Sequence, residues 1–183
     1  MTKLLWTDLE TTGLDPRKSN PLEVAMMVAN LSDPFNAVLA HHSTVFFPSR
    51  RWGELNQGVR EMHTKNGLLE ECASNEAPDC ERVEEALLQF VPEEELRDDR
   101  PILAGSSVYF DYMFIEVHMP RVFKRLQYRL YDVSALKLYC QSMGMPKFRK
   151  AEAHRAAPDI LESIAHAKEC TTWLQANLRS KQP

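Results

Sequence analysis

No stretch of this 183-residue chain approaches the ~20 consecutive apolar residues that span a bilayer. No basic-then-apolar leader precedes Leu4, and strand-forming sequence begins almost at Met1, so the expectation is a cytoplasmic protein with no membrane partner. Cysteine is sparse. Cys72, Cys80, Cys140 and Cys170 are far apart and form no Cys-x-x-Cys pair, which favours reduced, mostly packed thiols over disulfides or a zinc site. Internal repeats and low-complexity tracts are missing as well. So is an excess of positive charge, since 22 Lys and Arg face 26 Asp and Glu for a net charge of −4. Proteins that grip long nucleic acids usually carry a basic footprint, because neutralising phosphates supplies much of their affinity. A nucleic-acid substrate, if there is one, is then a short one in a metal-lined pocket, although a local basic patch is compatible with an acidic total.

What is present is ordinary for a globular protein, with 44% hydrophobic and 26% charged residues. The length predicts one domain over residues 1–183 that buries about 70% of its unfolded surface. Three opening strands are expected, at Leu4 to Thr7, Leu22 to Leu31 and Val38 to Phe47, with a turn at Ser32-Asp33-Pro34 and a stop at Pro48. Helical spacing runs from Glu54 to Cys72 with a break at Asn66-Gly67, and Asp79 suits the cap of a helix from Cys80 to Phe90. Glu93 to Glu95 and Arg97 to Arg100 read as a solvated connection. Ile102 to Ala104 and Tyr131-Asp132 read as short strands, followed by helices from about Phe110 to His118 and Ser134 to Met143. The last helix starts near Arg155, with Ile160, Ile164, Ala167, Thr171, Leu174 and Leu178 on one stripe. Antiparallel strands followed by strand–helix alternation predict an α/β fold, a mixed sheet flanked by helices.

The chemistry is concentrated in a few residues. Asp8 and Glu10 are two apart on a strand and so share a face. A bare Asp-x-Glu at a strand end is most often a solvated pair, yet two carboxylates this close repel unless a cation such as Mg²⁺ or Mn²⁺ lies between them. Asp111 follows the strand Ile102 to Ala104 and the turn Gly105-Ser106-Ser107, beyond a strand's carboxyl end, where open α/β sheets put ligands. His154 and Asp159 flank the start of the last helix, and Pro158 supports that start because proline is tolerated in a first turn. Singly, each has a bland reading: helix cap, inert loop histidine, partner of a helix dipole. Together they amount to four carboxylates, enough for two divalent ions, and a base that titrates near neutrality. That is the set required for two-metal phosphodiester hydrolysis.

Asp8-Leu9-Glu10-Thr11-Thr12-Gly13-Leu14, Asp111 and His154-(four residues)-Asp159 resemble the DEDD superfamily of 3′→5′ exonucleases, in its His-containing branch. His63-Thr64-Lys65-Asn66-Gly67-Leu68, Tyr128-Arg129-Leu130-Tyr131-Asp132-Val133-Ser134 and His154-Arg155-Ala156-Ala157-Pro158-Asp159-Ile160-Leu161-Glu162-Ser163-Ile164 are similar to the oligoribonuclease family over nearly the whole chain. The resemblance implies a ribonuclease H-like fold, two Mg²⁺ or Mn²⁺ ions, and release of nucleoside 5′-monophosphates from the 3′ end of single-stranded RNA of two to five nucleotides. It implies Asp8, Glu10, Asp111 and Asp159 as metal ligands and His154 as the base that deprotonates the attacking water. Leu14 and His63 would contact bases, and Ser107, Arg129 and Ser134 the 5′-side phosphate. Tyr128 would reach in from the second subunit of a homodimer.

The chain departs from the family pattern at Gly58, where a tryptophan is common, at Val108-Tyr109-Phe110, where small or polar residues are common, and at Pro158. Two other readings compete: a proofreading-type exonuclease on DNA or longer RNA tails, and a catalytically inactive nucleic-acid-binding module. Lys147, Arg149 and Lys150 fit either a phosphate-attracting or a solvated loop. Glu23, at the start of the second strand, reads as a structural carboxylate, and His41, His42, His118 and His166 as structural or exposed.

Overall fold

Nine residues, Lys3–Thr11, form the central strand β1, and its alternation sorts the molecule into two layers. Leu5 and Leu9 enter a core with Val24, Met26, Leu87, Phe114 and Ile115, whereas Leu4 and Trp6 pack against Ala156, Ile160 and Ile164 on the other side. Asp8 and Glu10 share the parity of Leu4 and Trp6, so the strand's period aims both carboxylates at the layer built by the last helix. The computed structural model describes residues 2–94, 96, 98–148 and 154–179, without the side chains of 178 and 179. The expectations for Glu95, Arg97, Arg149, Lys150 and the Leu178 side chain lie outside the described residues.

β2 (Pro21–Asn30) and β3 (Asp33–Thr44) complete an antiparallel meander, and β4 (Ile102–Gly105) and β5 (Leu130–Asp132) add in parallel, in the order β3-β2-β1-β4-β5. The helices are α1 (Gln57–Lys65), α2 (Leu68–Ala73), α3 (Cys80–Leu88), α4 (Tyr109–His118), α5 (Pro120–Arg125), α6 (Val133–Ser142) and α7 (Ala156–Arg179). This is the predicted single-domain α/β architecture with a mixed sheet between helices. Local chemistry accounts for several boundaries. Asp79 accepts the Arg82 N–H and starts α3, as its residue type suggested. Asn66 and Gly67, the latter at φ 80°, separate α1 from α2 where the break was expected. Helix α5 was not anticipated; Pro120 at its first position opens it, and Val122 buries it against the core. The thiols are free, with Cys72, Cys140 and Cys170 buried.

The β1–β4 pairing ends at Trp6↔Ala104, so the last residues of β1 run on past the end of β4. Gly105 lets the chain turn away there, since a Cβ on it would stand 2.8 Å from the Thr7 carbonyl oxygen. The crevice between β1 and the turn after β4 opens at the carboxyl ends of the parallel strands, the position where such sheets bind ligands. Among the described residues no helix is long and apolar enough to cross a membrane.

Candidate active site

Three distant segments converge on this crevice. β1 contributes Asp8 and Glu10. α4 contributes Asp111, which is only 4% exposed and whose Oδ1 accepts the Leu9 N–H at 2.9 Å, from the residue between the two strand carboxylates. Asp111 thus reaches beyond its own helix, whose start was the bland reading of its sequence position. The entry to α7 contributes His154 and Asp159, and ligand atoms of Glu10, His154 and Asp159 all lie within 4.8 Å of one another. Burial, Asp8, Asp159 and Glu23 push the Glu10 carboxyl up to about 8, against the pull of Arg155. Burial and the Asp8 charge raise Asp111 well above the usual carboxylate range as well. His63 does not offset this charge, although its Nε2 lies 3.6 Å from Glu10 Oε2. Burial, together with the His154 charge, depresses it to about 4, so the ring is neutral.

A cluster of hard oxygen donors whose own repulsion favours protonation fits divalent cations, which would replace the protons. With His154 within reach, the arrangement suits metal-assisted hydrolysis of a phosphodiester.

Beside the carboxylates lies a cavity of about 360 Å³ bordered by Asp8, Asp159, Ser107, Ser134, Lys137 and His166. Ser107 and Ser134 meet there with their Oγ atoms 2.9 Å apart. Asp132 fixes both, because its Oδ1 accepts the Ser134 N–H at 2.8 Å and the Ser107 N–H at 3.2 Å. Ser163 and Ser106 hydroxyls, also 2.9 Å apart, tie α7 to the turn after β4. A larger cleft of about 730 Å³, lined by Glu85, Arg100, Arg121 and Arg125, borders none of the motif residues.

The remaining residues singled out in the sequence fall elsewhere. Leu14 is 82% exposed on the loop after β1, whereas His63 is fully buried and neither ring nitrogen has a hydrogen-bond partner among the described residues. In this conformation His63 presents no surface to a base. Arg129 lies before β5 and Ser134 after it, and among the described residues Arg129 makes no bond to the paired serines. Instead Arg129 holds Asp98 and Gln127 and lies over the Tyr128 ring at 4.7 Å, and that ring is 69% exposed. Of the unusual run Val108-Tyr109-Phe110, Val108 is in the core, Phe110 packs on Phe114 and only Tyr109 faces outward. Gly58 is exposed on α1.

Only two described non-glycine residues have positive φ, Ser107 at 55° and His154 at 46°, and both are candidate site residues. A left-handed backbone costs an ordinary residue about 1 kcal/mol or more, so the surroundings must hold it. Around His154 they do. Glu23, with no exposed surface, accepts from the Arg155 guanidinium at 2.9 and 3.0 Å, from the Ala156 N–H at 2.8 Å and from His42 at 2.7 Å. Burial alone would raise its pKa; the bonds from Arg155, Ala156 and His42 hold it below the usual range instead. Arg155 also grips Glu71, at 2.8 Å. Glu23 is thus the structural carboxylate that its place in the sequence suggested. The roles of Arg155, Asn66 and Asp132 were not foreseen, although all three lie inside the conspicuous motif strings.

A partly buried carboxylate cluster with a histidine, at the carboxyl edge of this sheet, defines a nuclease-like site, and residues 5–166 match the family model described as Exonuclease. Similar proteins narrow the class. "Probable oligoribonuclease" of Schizosaccharomyces pombe is 31% identical over 93% of this chain and 68% of its own length. Oligoribonucleases of Francisella tularensis (31% identical; 90% of this chain, 92% of theirs) and Corynebacterium diphtheriae (35%; 88% and 78%) are likewise similar. The chain belongs to the exonuclease family, and within it to the oligoribonucleases. Among solved structures, Escherichia coli exonuclease I in complex with a dT13 oligonucleotide has the same fold at 14% identity, with a TM-score of 0.64 over 98% of this chain. The chain spans 43% of that protein's length.

Proposed function

We propose that this chain is a 3′→5′ exoribonuclease that hydrolyses very short single-stranded RNA, dinucleotides above all, to nucleoside 5′-monophosphates. The observation that carries the reading is the convergence of Asp8, Glu10, Asp111 and Asp159 with His154 beside a small cavity walled by two serine hydroxyls. The four carboxylates would hold two Mg²⁺ or Mn²⁺ ions, which when bound supply Lewis-acid charge to the phosphate oxygens and lower the pKa of water. His154 takes the proton from the attacking water. Ser107 and Ser134, oriented by Asp132, donate to oxygens of the next phosphate on the 5′ side. Leu14 lies open to stack a base, and His63 contributes once the cover over its ring moves.

Tyr128 and Arg129 do not line this cavity in their own protomer, and they stand together on the outer surface. This supports a homodimer in which both enter the partner's site, as Tyr128 was expected to do, with Arg129 joining it. Residues 1–183 then act as one exonuclease domain, in the cytoplasm.

A site closed on its 5′ side by two serines and an arginine is satisfied by two nucleotides. A longer chain pushes its next phosphate past them and leaves polar groups unpaired at ~1–3 kcal/mol each. Values of kcat/KM for RNAs of two, three, five and seven nucleotides, with matched DNA, test this. We expect a fall of about tenfold or more beyond the dinucleotide. A flat profile, or one that rises with length, would return the chain to the class of longer-substrate exonucleases. Failure to hydrolyse any of them, with no Mn²⁺ binding in a calorimetric titration, would point to an inactive nucleic-acid-binding module.

A further inference from the structure

Asn66 lies at the carboxyl end of α1, outside the carboxylate cluster, yet its Nδ2 donates to the main-chain oxygen of His154 at 2.7 Å. The amide is itself held. Its Oδ1 accepts the Leu68 N–H at 3.2 Å, and the Asn66 carbonyl oxygen accepts from Arg155 Nη1 at 3.4 Å. His154 is one of the two described non-glycine residues with a left-handed backbone, a conformation that persists only where several contacts impose it. Arg155 and Ala156 are fastened to Glu23 on its carboxyl side, and Asn66 fastens its own carbonyl. Glu23 stands opposite Glu10 in the β1–β2 register, so this clamp refers the histidine backbone to the strand pair that carries the carboxylate.

We propose that Asn66 is a positioning residue for His154. By holding the His154 peptide in its left-handed conformation it sets the imidazole against Glu10 and Asp159, with the Arg155–Glu23 pair as the second anchor. The inference rests on the reading of His154 as the base. Rotation about the histidine backbone swings the ring, and a displacement near 1 Å costs on the order of 10²-fold in rate.

Asn66→Asp keeps the acceptor for the Leu68 N–H and removes the donor to His154. Asn66→Ser removes the amide with no added charge and serves as the second variant where the new carboxylate lowers stability. On a dinucleotide we expect kcat to fall about ten- to hundredfold, with KM within about twofold of the parent. In the His154→Ala background the same substitutions should cost nothing further, because the group they position is gone. The ring resonances of His154 in ¹⁵N-histidine NMR spectra of the metal-free protein, identified by their loss in His154→Ala, should shift in both variants. Parent-like kcat in a folded Asn66 variant, an equal loss with and without His154, or unmoved ring resonances would each overturn the proposal. If His154→Ala itself kept the parent kcat, the base assignment would fall and take the proposal with it. A slow His154→Ala beside a fully active Asn66→Asp would remove the positioning role alone.

Discussion

Raising the pH of the metal-free protein from 6.5 to 8 should destabilise it, and a divalent ion should undo the loss. Glu10 carries the argument, since burial and the Asp8 charge push its carboxyl from 4.5 in the unfolded chain to about 8 in the fold. Between those values the folded state binds a proton that the unfolded state has released. Stability therefore falls as pH rises, at up to ~1.4 kcal/mol per pH unit. His63 has the opposite sign below its ordinary value of 6.5, because the fold depresses it to about 4 and acid then favours unfolding. Above 6.5 that contribution is small, and Glu10 alone should remove about 1.5–2 kcal/mol by pH 8. For a chain of this length that is ~3–8 °C in melting temperature. Asp111, raised for the same reasons, adds a loss of the same sign. Urea or thermal unfolding in chelator, at several pH values from 6.5 to 8, measures the slope. Repeating it with Mn²⁺ or Mg²⁺ should reduce or abolish the slope, because ligand binding to the folded state replaces the proton. Glu10→Gln should be more stable than the parent at pH 8 in chelator and should show a shallower slope. Equal slopes in the parent and in Glu10→Gln, or no gain from either ion, would refute the reading of these carboxylates as a repelling cluster built for cations.

The other expectations are briefer. Asp8→Asn should abolish hydrolysis while leaving the fold intact, and more than about a hundredth of the parent kcat, a loss under ~2.7 kcal/mol, would contradict the two-metal assignment. His154→Ala should lose ~10²–10⁴ in kcat and flatten the acid limb of the pH–rate profile; an unaltered limb would assign it to metal ligands or bound water. Mixing Asp8→Asn chains with Tyr128→Ala chains should restore activity, since each heterodimer then has one site with neither lesion. No recovery despite proven subunit exchange would count against sharing in trans. Arg155→Ala should cost about 3–5 kcal/mol in urea unfolding, because it strands the buried Glu23 charge; a loss under ~1 kcal/mol would show that His42 and the Ala156 N–H suffice.

Sequence alone carried the class of fold, the opening meander, the break at Asn66-Gly67, the Asp79 cap and the metal-ligand candidates. These follow from local rules: alternation along β1, turn chemistry, capping, and carboxylates at strand ends and helix entries. The periods that bury Leu4 and Trp6 also aim Asp8 and Glu10, so direction was legible before any contact was known. Tertiary structure decided what depends on which distant segments meet. It made Asp111 the acceptor for the Leu9 N–H, and buried His63 beside Glu10. It put β5 between Arg129 and Ser134, and drew Asn66, Arg155 and Glu23 into one clamp around a strained His154. Those contacts join residues 88 to 132 positions apart, from Asn66 to His154 and from Glu23 to Arg155, and no local periodicity encodes them. A short-range pattern sets where a side chain points, whereas its partner is chosen by how the sheet and helices close around it.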